Sequence, residues 1–137
     1  MTSTVDPTTA PTFTELGADP LISAALAEDG IHTAFPIQAQ CMPLALEGKD
    51  LIGQAKTGTG KTLGFGIPLL QRLTAPQDAG WAELKTAGKP QALVIVPTRE
   101  LGIQVASDLQ KAGRLRGVRV LCVYGGRSYE PQVEALQ

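Results

Sequence analysis

A glycine-rich stretch at residues 55–62 has the residue types that bind a chain of phosphates. It reads AKTGTGKT; Gly60, Lys61 and Thr62 match the end of the pattern G-x-x-x-x-G-K-[ST], while Ala55 replaces its first glycine. Glycines let successive backbone N–H groups point inward, and with a helix N-terminus they form an anion site. In such a loop the lysine reaches the outer phosphates and the next hydroxyl binds Mg²⁺. The predicted phosphate-binding residues are Ala55, Lys56, Thr57, Gly58, Thr59, Gly60, Lys61 and Thr62, with Lys61 and Thr62 in catalytic roles and Thr62 as the magnesium ligand.

The elements around this loop alternate between strands and helices. The apolar runs at 51–55, 92–96 and 119–124 predict strands, and the uninterrupted run at 92–96 is typical of a strand covered on both faces. Helices are predicted from Asp19-Pro20 to Gly30, over 36–47 with a kink at Pro43, over 60–73, over 98–113 and from 128 or 129 onward. A loop at 74–90 carries a short helix near 81–84. This alternation predicts an α/β fold with a parallel sheet flanked by helices.

Composition bounds the class of protein. The chain has 137 residues, 43% of them apolar and 18% charged, which is typical of one folded domain. No apolar run is long enough to span a membrane, and residues 1–12 lack the features of a secretory signal, so we predict a flexible tail there. Cys41 and Cys122 form no metal-binding spacing with His32, which favours free thiols and a cytoplasmic location.

Charge is distributed unevenly although the net charge is −1. Residues 1–50 hold seven acids and one base, whereas residues 111–127 hold five bases and no acid. A local basic surface of this kind can bind phosphate, and a solvated helix face gives the same pattern. Charge alone leaves both interpretations open.

Three further segments give the chain a family resemblance. Residues 30–38 (GIHTAFPIQ) precede the phosphate loop, residues 97–102 (PTRELG) follow the second predicted strand, and Tyr124-Gly125-Gly126 follow the third. In this order and spacing the chain resembles the DEAD-box family of ATP-dependent RNA helicases, with a Q motif, motif I, motif Ia and a GG motif. The resemblance covers residues 13–137. It implies a partial RecA-like P-loop domain with a flexible tail at 1–12, a Q-motif region at 13–38 and an incomplete helicase ATP-binding domain at 39–137.

The chain also departs from the family pattern. Ile31 stands where the family usually has Phe, Ala34-Phe35-Pro36 replaces Pro-Thr-Pro, and Gly102 replaces the last Ala of motif Ia. The sequence contains no Asp-Glu-Ala-Asp, no Ser-Ala-Thr and no second RecA-like domain. The resemblance therefore implies an N-terminal fragment of a helicase, truncated at its C-terminus. We expect these residues alone not to turn over ATP.

The Q-motif region carries the predicted base contacts. The resemblance implies that Gln38 recognises adenine, since its amide can donate to N7 and accept from the N6 amino group, whereas guanine presents a mismatched oxygen. It also implies that Phe13 stacks on adenine. Phe35 is a weaker candidate for contact with the base and is expected to pack.

Motif Ia and the GG motif carry the predicted RNA contacts. Thr98 can cap a helix whose free N–H groups face a phosphate, with Arg99 as the charged partner. Pro97 belongs to the same motif, and Gly125 and Gly126 would let the backbone approach a neighbouring phosphate. Such contacts predict RNA binding that is largely independent of sequence.

Two alternatives to a truncated helicase remain open. One is a non-catalytic module that binds nucleotide or RNA. The other is a different P-loop ATPase such as a DNA helicase, which the combination of Gln38 with PTREL disfavours. We also expect the isolated 137 residues to be marginally stable and prone to aggregation, because strands such as 92–96 would have unpaired edges and uncovered faces.

Overall fold

Helices form the regular structure of the described residues. The computed structural model describes residues 10–55, 60–85, 88–126 and 128–136. Within these ranges the helices are α1 (Pro20–Glu28), α2 (Pro36–Leu46), α3 (Lys61–Arg72), α4 (Arg99–Gly113) and α5 (Tyr129–Leu136), with 3₁₀ turns at Trp81–Glu83 and Arg114–Arg116. All five predicted helices and the predicted short helix near Trp81 are confirmed. None of the helices in the described ranges is both long and apolar enough to cross a bilayer.

Local capping explains where helix α1 begins and ends. The Asp19 carboxylate accepts a hydrogen bond from the backbone N–H of Leu21 at 2.8 Å, which satisfies one of the free donors of the first turn. At the other end Gly30 has φ +78°, a conformation that glycine adopts without steric cost. The N–H of Ile31 then donates back to the carbonyl of Leu26 at 2.9 Å.

The three predicted strands form no ladder within the part of the chain that the structure describes. The single pairing found there is an isolated antiparallel bridge between Thr12 and Thr33, at the end of the predicted tail. The predicted parallel sheet is therefore not confirmed. The backbone hydrogen bonds of a helix form between residues of the same segment, whereas those of a strand form with a neighbouring strand.

The run at 92–96 is covered on one face and open on the other, which agrees with the uncovered faces expected for strands of the isolated 137 residues. Val94 and Val96 pack against the core, while Leu93 and Ile95 are 82% and 84% exposed. The side chains alternate as in an extended segment lying on one layer of helices. Cover on the second face of this segment would require a further layer of structure.

The core lies between helices α1, α2, α3 and α4. Its largest fully buried side chains include Phe13, Ile22, Leu26, Met42, Ile67 and Leu70. Helices α3 and α4 pack closely at Gly66, where a methyl group would come within 2.7 Å of the Leu109 side chain. This packing fixes the helix starts that carry the candidate site.

A buried arginine joins three segments around this core. The side chain of Arg116 is 7% exposed and forms ion pairs with Asp19 at 3.0 Å and Asp78 at 3.2 Å. It also donates to the carbonyl of Leu73 at 2.8 Å. The start of α1, the segment after α3 and the end of α4 are therefore held by one side chain. Removing either carboxylate would leave this buried guanidinium with one charged partner instead of two.

Candidate functional site

One cleft brings the predicted adenine contact Gln38 together with the predicted nucleotide-binding residues at the start of α3, whereas Phe13 does not line it. It has a volume of about 1240 Å³ and is lined by Phe35, Gln38, Gly60, Lys61 and Thr62. Side chains of α4 border the same cleft. Residues 56–59 of the predicted phosphate loop lie outside the described residues. Ala55, the last described residue before them, is partly buried.

Gln38 joins helix α2 to the start of helix α3. Its side-chain oxygen accepts a hydrogen bond from the backbone N–H of Phe35 at 2.8 Å, and its side-chain nitrogen donates to the carbonyl of Gly60 at 2.9 Å. The side chain is buried. Gln38 therefore caps its own helix and holds the end of the phosphate loop, a position 22 residues away. Neither bond was predicted from the sequence.

Gly60 is required at the start of α3 for two reasons. Its φ of +79° lies in the left-handed region, which costs other residues about 1–2 kcal/mol. A Cβ atom at this position would also collide with the Gln38 amide and lie 2.7 Å from the ring of Phe35. The close approach of Phe35 and Gln38 therefore depends on the absence of a side chain.

Lys61 and Thr62 occupy the first turn of α3, where free N–H groups and the helix dipole favour an anion. Lys61 is exposed to the cleft and Thr62 is partly buried in it. A hydroxyl in this position fits a hard cation such as Mg²⁺, which prefers oxygen ligands. The arrangement suits a phosphate chain that brings its own metal ion.

The two aromatic residues considered for contact with the base have opposite environments. Phe13 is 2% exposed and belongs to the hydrophobic core, whereas Phe35 is 55% exposed and lies over Gly60. The ring that is open to a ligand is therefore Phe35, which the sequence had suggested as a packing residue. Its position at the N-cap of α2 directs it away from the core.

A second group of residues lies at the start of α4. Thr98 caps this helix by accepting a hydrogen bond from the N–H of Leu101 at 3.2 Å. The guanidinium carbon of Arg99 lies 4.7 Å from the centre of the Tyr124 ring. A Cβ atom on Gly126 would lie 3.9 Å from the same guanidinium, whereas Gly125 is open. The structure thus brings motif Ia and the GG motif together, and Pro97, just before Thr98, is exposed.

A side-chain hydrogen bond lies at the start of helix α5. The hydroxyl of Ser128 donates to the Glu130 carboxylate at 3.0 Å. The backbone N–H of residue 130 and this hydroxyl together lower the pKa of Glu130 below its ordinary value.

The basic stretch at 111–127 does not form one uniform surface. Arg114 pairs with Glu28, and Arg116 is buried against two carboxylates. Lys111 lines the large cleft and Arg119 is exposed, while residue 127 lies outside the described residues. Two of the five bases are therefore paired with carboxylates, and of these two Arg116 is buried whereas Arg114 is exposed.

Comparisons with known proteins identify what the chain is similar to. The sequence model of the DEAD/DEAH box helicase family matches residues 35–137. The chain is 45% identical over 126 residues to the DEAD-box ATP-dependent RNA helicase CshA of Geobacillus kaustophilus, covering 92% of the chain and 25% of that protein. It is 46% identical to CshA of Streptococcus pneumoniae, covering 91% of the chain and 22% of that protein. The chain thus spans about a quarter of the length of these curated relatives.

Solved structures show a similar fold. The RNA-helicase Prp28 from Chaetomium thermophilum bound to ADP superposes with a TM-score of 0.75 at 36% identity, covering 89% of the chain and 28% of Prp28. The S. cerevisiae protein Dbp5 bound to RNA and ADP BeF3 superposes with a TM-score of 0.65 at 31% identity, covering 77% of the chain and 25% of Dbp5. The order of the helices is therefore that of a helicase domain.

Proposed function

The chain belongs to the DEAD/DEAH box helicase family, and from that premise we propose that it binds ATP-Mg²⁺ and RNA as part of an ATP-dependent RNA helicase that unwinds or remodels RNA duplexes. The observation that carries this proposal is the single cleft in which Gln38 and Phe35 meet Gly60, Lys61 and Thr62. Similar proteins are named ATP-dependent RNA helicases.

The ATP part of the proposal rests on the start of α3. Lys61 supplies the positive charge for the outer phosphates, and the N–H groups of the first turn supply donors. Thr62 would hold Mg²⁺ through its hydroxyl, and that ion would neutralise charge on the phosphates. Gln38 has one further N–H and one further lone pair beyond its two observed bonds, and we propose that these recognise adenine. The similarity to the ADP-bound Prp28 supports this assignment.

The base lies, in this proposal, against an aromatic ring. Phe35 is the exposed aromatic residue over Gly60, so it provides a flat apolar surface beside Gln38. Phe13 was the residue that the family resemblance implied. It remains a proposed adenine contact, and it would need to turn a ring face out of the core to make one.

The RNA part of the proposal rests on the start of α4. Arg99 is exposed, and the backbone at Gly125 and Gly126 carries no side chain that would block a phosphate. Pro97 and Thr98 set the beginning of the helix on which Arg99 stands. Contacts of this kind reach sugar and phosphate, so we propose binding that is largely independent of sequence. The similarity to RNA-bound Dbp5 supports it.

The decisive test is ATP hydrolysis by the protein encoded by the complete reading frame (below, the full-length protein). We expect Lys61→Ala to abolish hydrolysis measured with saturating RNA, because the substitution removes the cation that faces the outer phosphates. Lys49→Ala is the matched control, since Lys49 is exposed, pairs with Glu47 at 3.0 Å and does not line the large cleft that holds Lys61. Near-normal turnover in Lys61→Ala would contradict the assignment of the phosphate loop.

The 137 residues alone need a separate test. We propose that they bind nucleotide weakly and do not hydrolyse ATP. We also propose that they aggregate, because apolar side chains such as Leu93 and Ile95 are open to solvent. The measurement is purification of residues 1–137 followed by thermal melting, an ATPase assay and RNA binding. A monomer that melts cooperatively and hydrolyses ATP with RNA would overturn this. Continuation of the reading frame into Asp-Glu-Ala-Asp would separate an enzyme from a non-catalytic binding module, and stimulation of ATP hydrolysis in the full-length protein by DNA instead of RNA would favour a DNA helicase.

A further inference from the structure

Arg99 is held by an aromatic ring and not by a carboxylate. Its guanidinium carbon lies 4.7 Å from the centre of the Tyr124 ring, within the range of a cation–π interaction. Among the described residues, no carboxylate lies within ion-pair distance of Arg99. The two residues are 25 positions apart in the sequence, and neither the helix start nor the glycine pair predicts their contact.

The type of partner matters for what Arg99 can bind. A carboxylate would neutralise the guanidinium and occupy its N–H groups with a pair of hydrogen bonds. A ring attracts the cation through its face and leaves the five N–H donors at the edge of the guanidinium. Arg99 therefore keeps both its charge and its donors while its position is restrained.

The Tyr124 ring is itself restrained through its backbone. Gln132 on helix α5 is 7% exposed; its oxygen accepts from the N–H of Tyr124 at 3.0 Å, and its nitrogen donates to the carbonyl of Ser128 at 3.1 Å. One buried amide thus joins the two ends of the turn that contains Gly125 and Gly126. The ring, the glycine pair and helix α5 are connected through this side chain.

We propose that Tyr124 is a positioning residue that holds the Arg99 guanidinium for a phosphate of the RNA backbone, with Gln132 fixing the turn from which the ring projects. The proposal rests on the RNA-binding function proposed above and adds to it the residue that orders Arg99. Restraining Arg99 before binding lowers the entropy lost when its side chain meets a phosphate.

The test is a double-mutant cycle on Tyr124 and Arg99 in the full-length protein. Affinity for a fluorescent single-stranded oligouridylate is measured by anisotropy, together with the KM values for RNA and for ATP. We expect Tyr124→Leu to weaken RNA binding about two- to fivefold, the size of an exposed cation–π interaction, with the KM for ATP unchanged. Tyr124→Phe keeps the ring and should stay close to the original protein. In the Arg99→Ala background, Tyr124→Leu should have no further effect.

Two further measurements keep the result independent of folding defects. Tyr129→Leu is the matched control, because Tyr129 is 76% exposed on α5 and is expected to leave RNA affinity unchanged. Replacing Tyr124 by progressively fluorinated phenylalanines keeps the shape of the ring while it weakens the attraction for a cation, so RNA affinity should fall in step with fluorination.

The outcomes separate this proposal from the proposed function. If the original protein binds RNA and Arg99→Ala weakens binding, but Tyr124→Leu or the fluorinated series has no effect, the positioning role is wrong and the RNA function stands. An equal effect of Tyr124→Leu with and without Arg99 would show that Tyr124 acts by another route. If the original protein does not bind RNA, both proposals fail.

Discussion

The starts of helices α3 and α4 are both proposed to meet phosphates, yet they are stabilised differently. The start of α4 is capped by its own residue, since Thr98 accepts from the N–H of Leu101. The start of α3 is Gly60, which has no side chain, and it is held from helix α2 by the bond from Gln38. One start is thus stabilised locally and the other by a distant residue.

The difference shows how each start is suited to its proposed ligand. A local cap uses one of the free N–H groups of the first turn, whereas a glycine start leaves them for a ligand. At α3 the surrounding residues, Phe35 and Gln38, form the wall of a cleft. At α4 the charged group, Arg99, stands on an exposed surface. A compact phosphate chain suits the former and an extended backbone suits the latter.

The largest expected effect is at Gly60, because the close approach of Gln38 and Phe35 leaves no space for a side chain there. Gly60→Ala should lower the free energy of unfolding by about 2–5 kcal/mol, through left-handed strain and collision with Gln38 and Phe35, and should weaken ATP binding. Denaturant titration and nucleotide titration of the full-length protein measure both effects. Gly30→Ala is the matched control, because Gly30 has φ +78° but no atom within 4 Å of its Cβ position, so it isolates the strain. Equal losses for the two variants would show that close packing at Gly60 is unimportant.

The next effect is at Gln38, which links the two helices. Gln38→Ala should weaken ATP binding by about 1–3 kcal/mol and GTP binding by less, because the amide matches adenine and not guanine. Isothermal titration with both nucleotides measures the difference. Gln38→Glu keeps an acceptor for the Phe35 N–H but loses both amide donors and places a carboxylate against the Gly60 carbonyl, so it tests whether this buried position requires the neutral amide. Equal losses for ATP and GTP in Gln38→Ala would mean that Gln38 acts only by holding the start of α3.

The smallest effect is expected at Thr98, where the stabilisation is local. Thr98→Ala should lower the free energy of unfolding by about 1 kcal/mol and leave ATP affinity unchanged, since the lost bond belongs to α4 alone. Thr98→Ser keeps the hydroxyl and should restore most of the stability in the same denaturant titration. A loss in Thr98→Ala as large as that in Gly60→Ala would remove the distinction between the two starts.

Local signals predicted the helices well. Asp19-Pro20 and Gly30 gave the bounds of α1, and Thr98 gave the start of α4, because a capping residue and its partners lie within one turn of each other. The residues at the start of α3 were also identified from their spacing. The sheet was predicted from the same kind of pattern and is not confirmed, since strand pairing depends on segments far apart in the chain.

The sequence by itself determined which segments are helical and which family the motifs resemble, and it singled out the loop that we propose binds phosphates. The tertiary structure decided that Phe13 is buried while Phe35 is open, that Arg116 stabilises the fold, and that Gln38 and Tyr124 hold other residues in place. The physical reason is the range of the interactions. Backbone capping and helix periodicity act over a few residues, whereas burial, ion pairs and ring contacts join positions that only folding brings together.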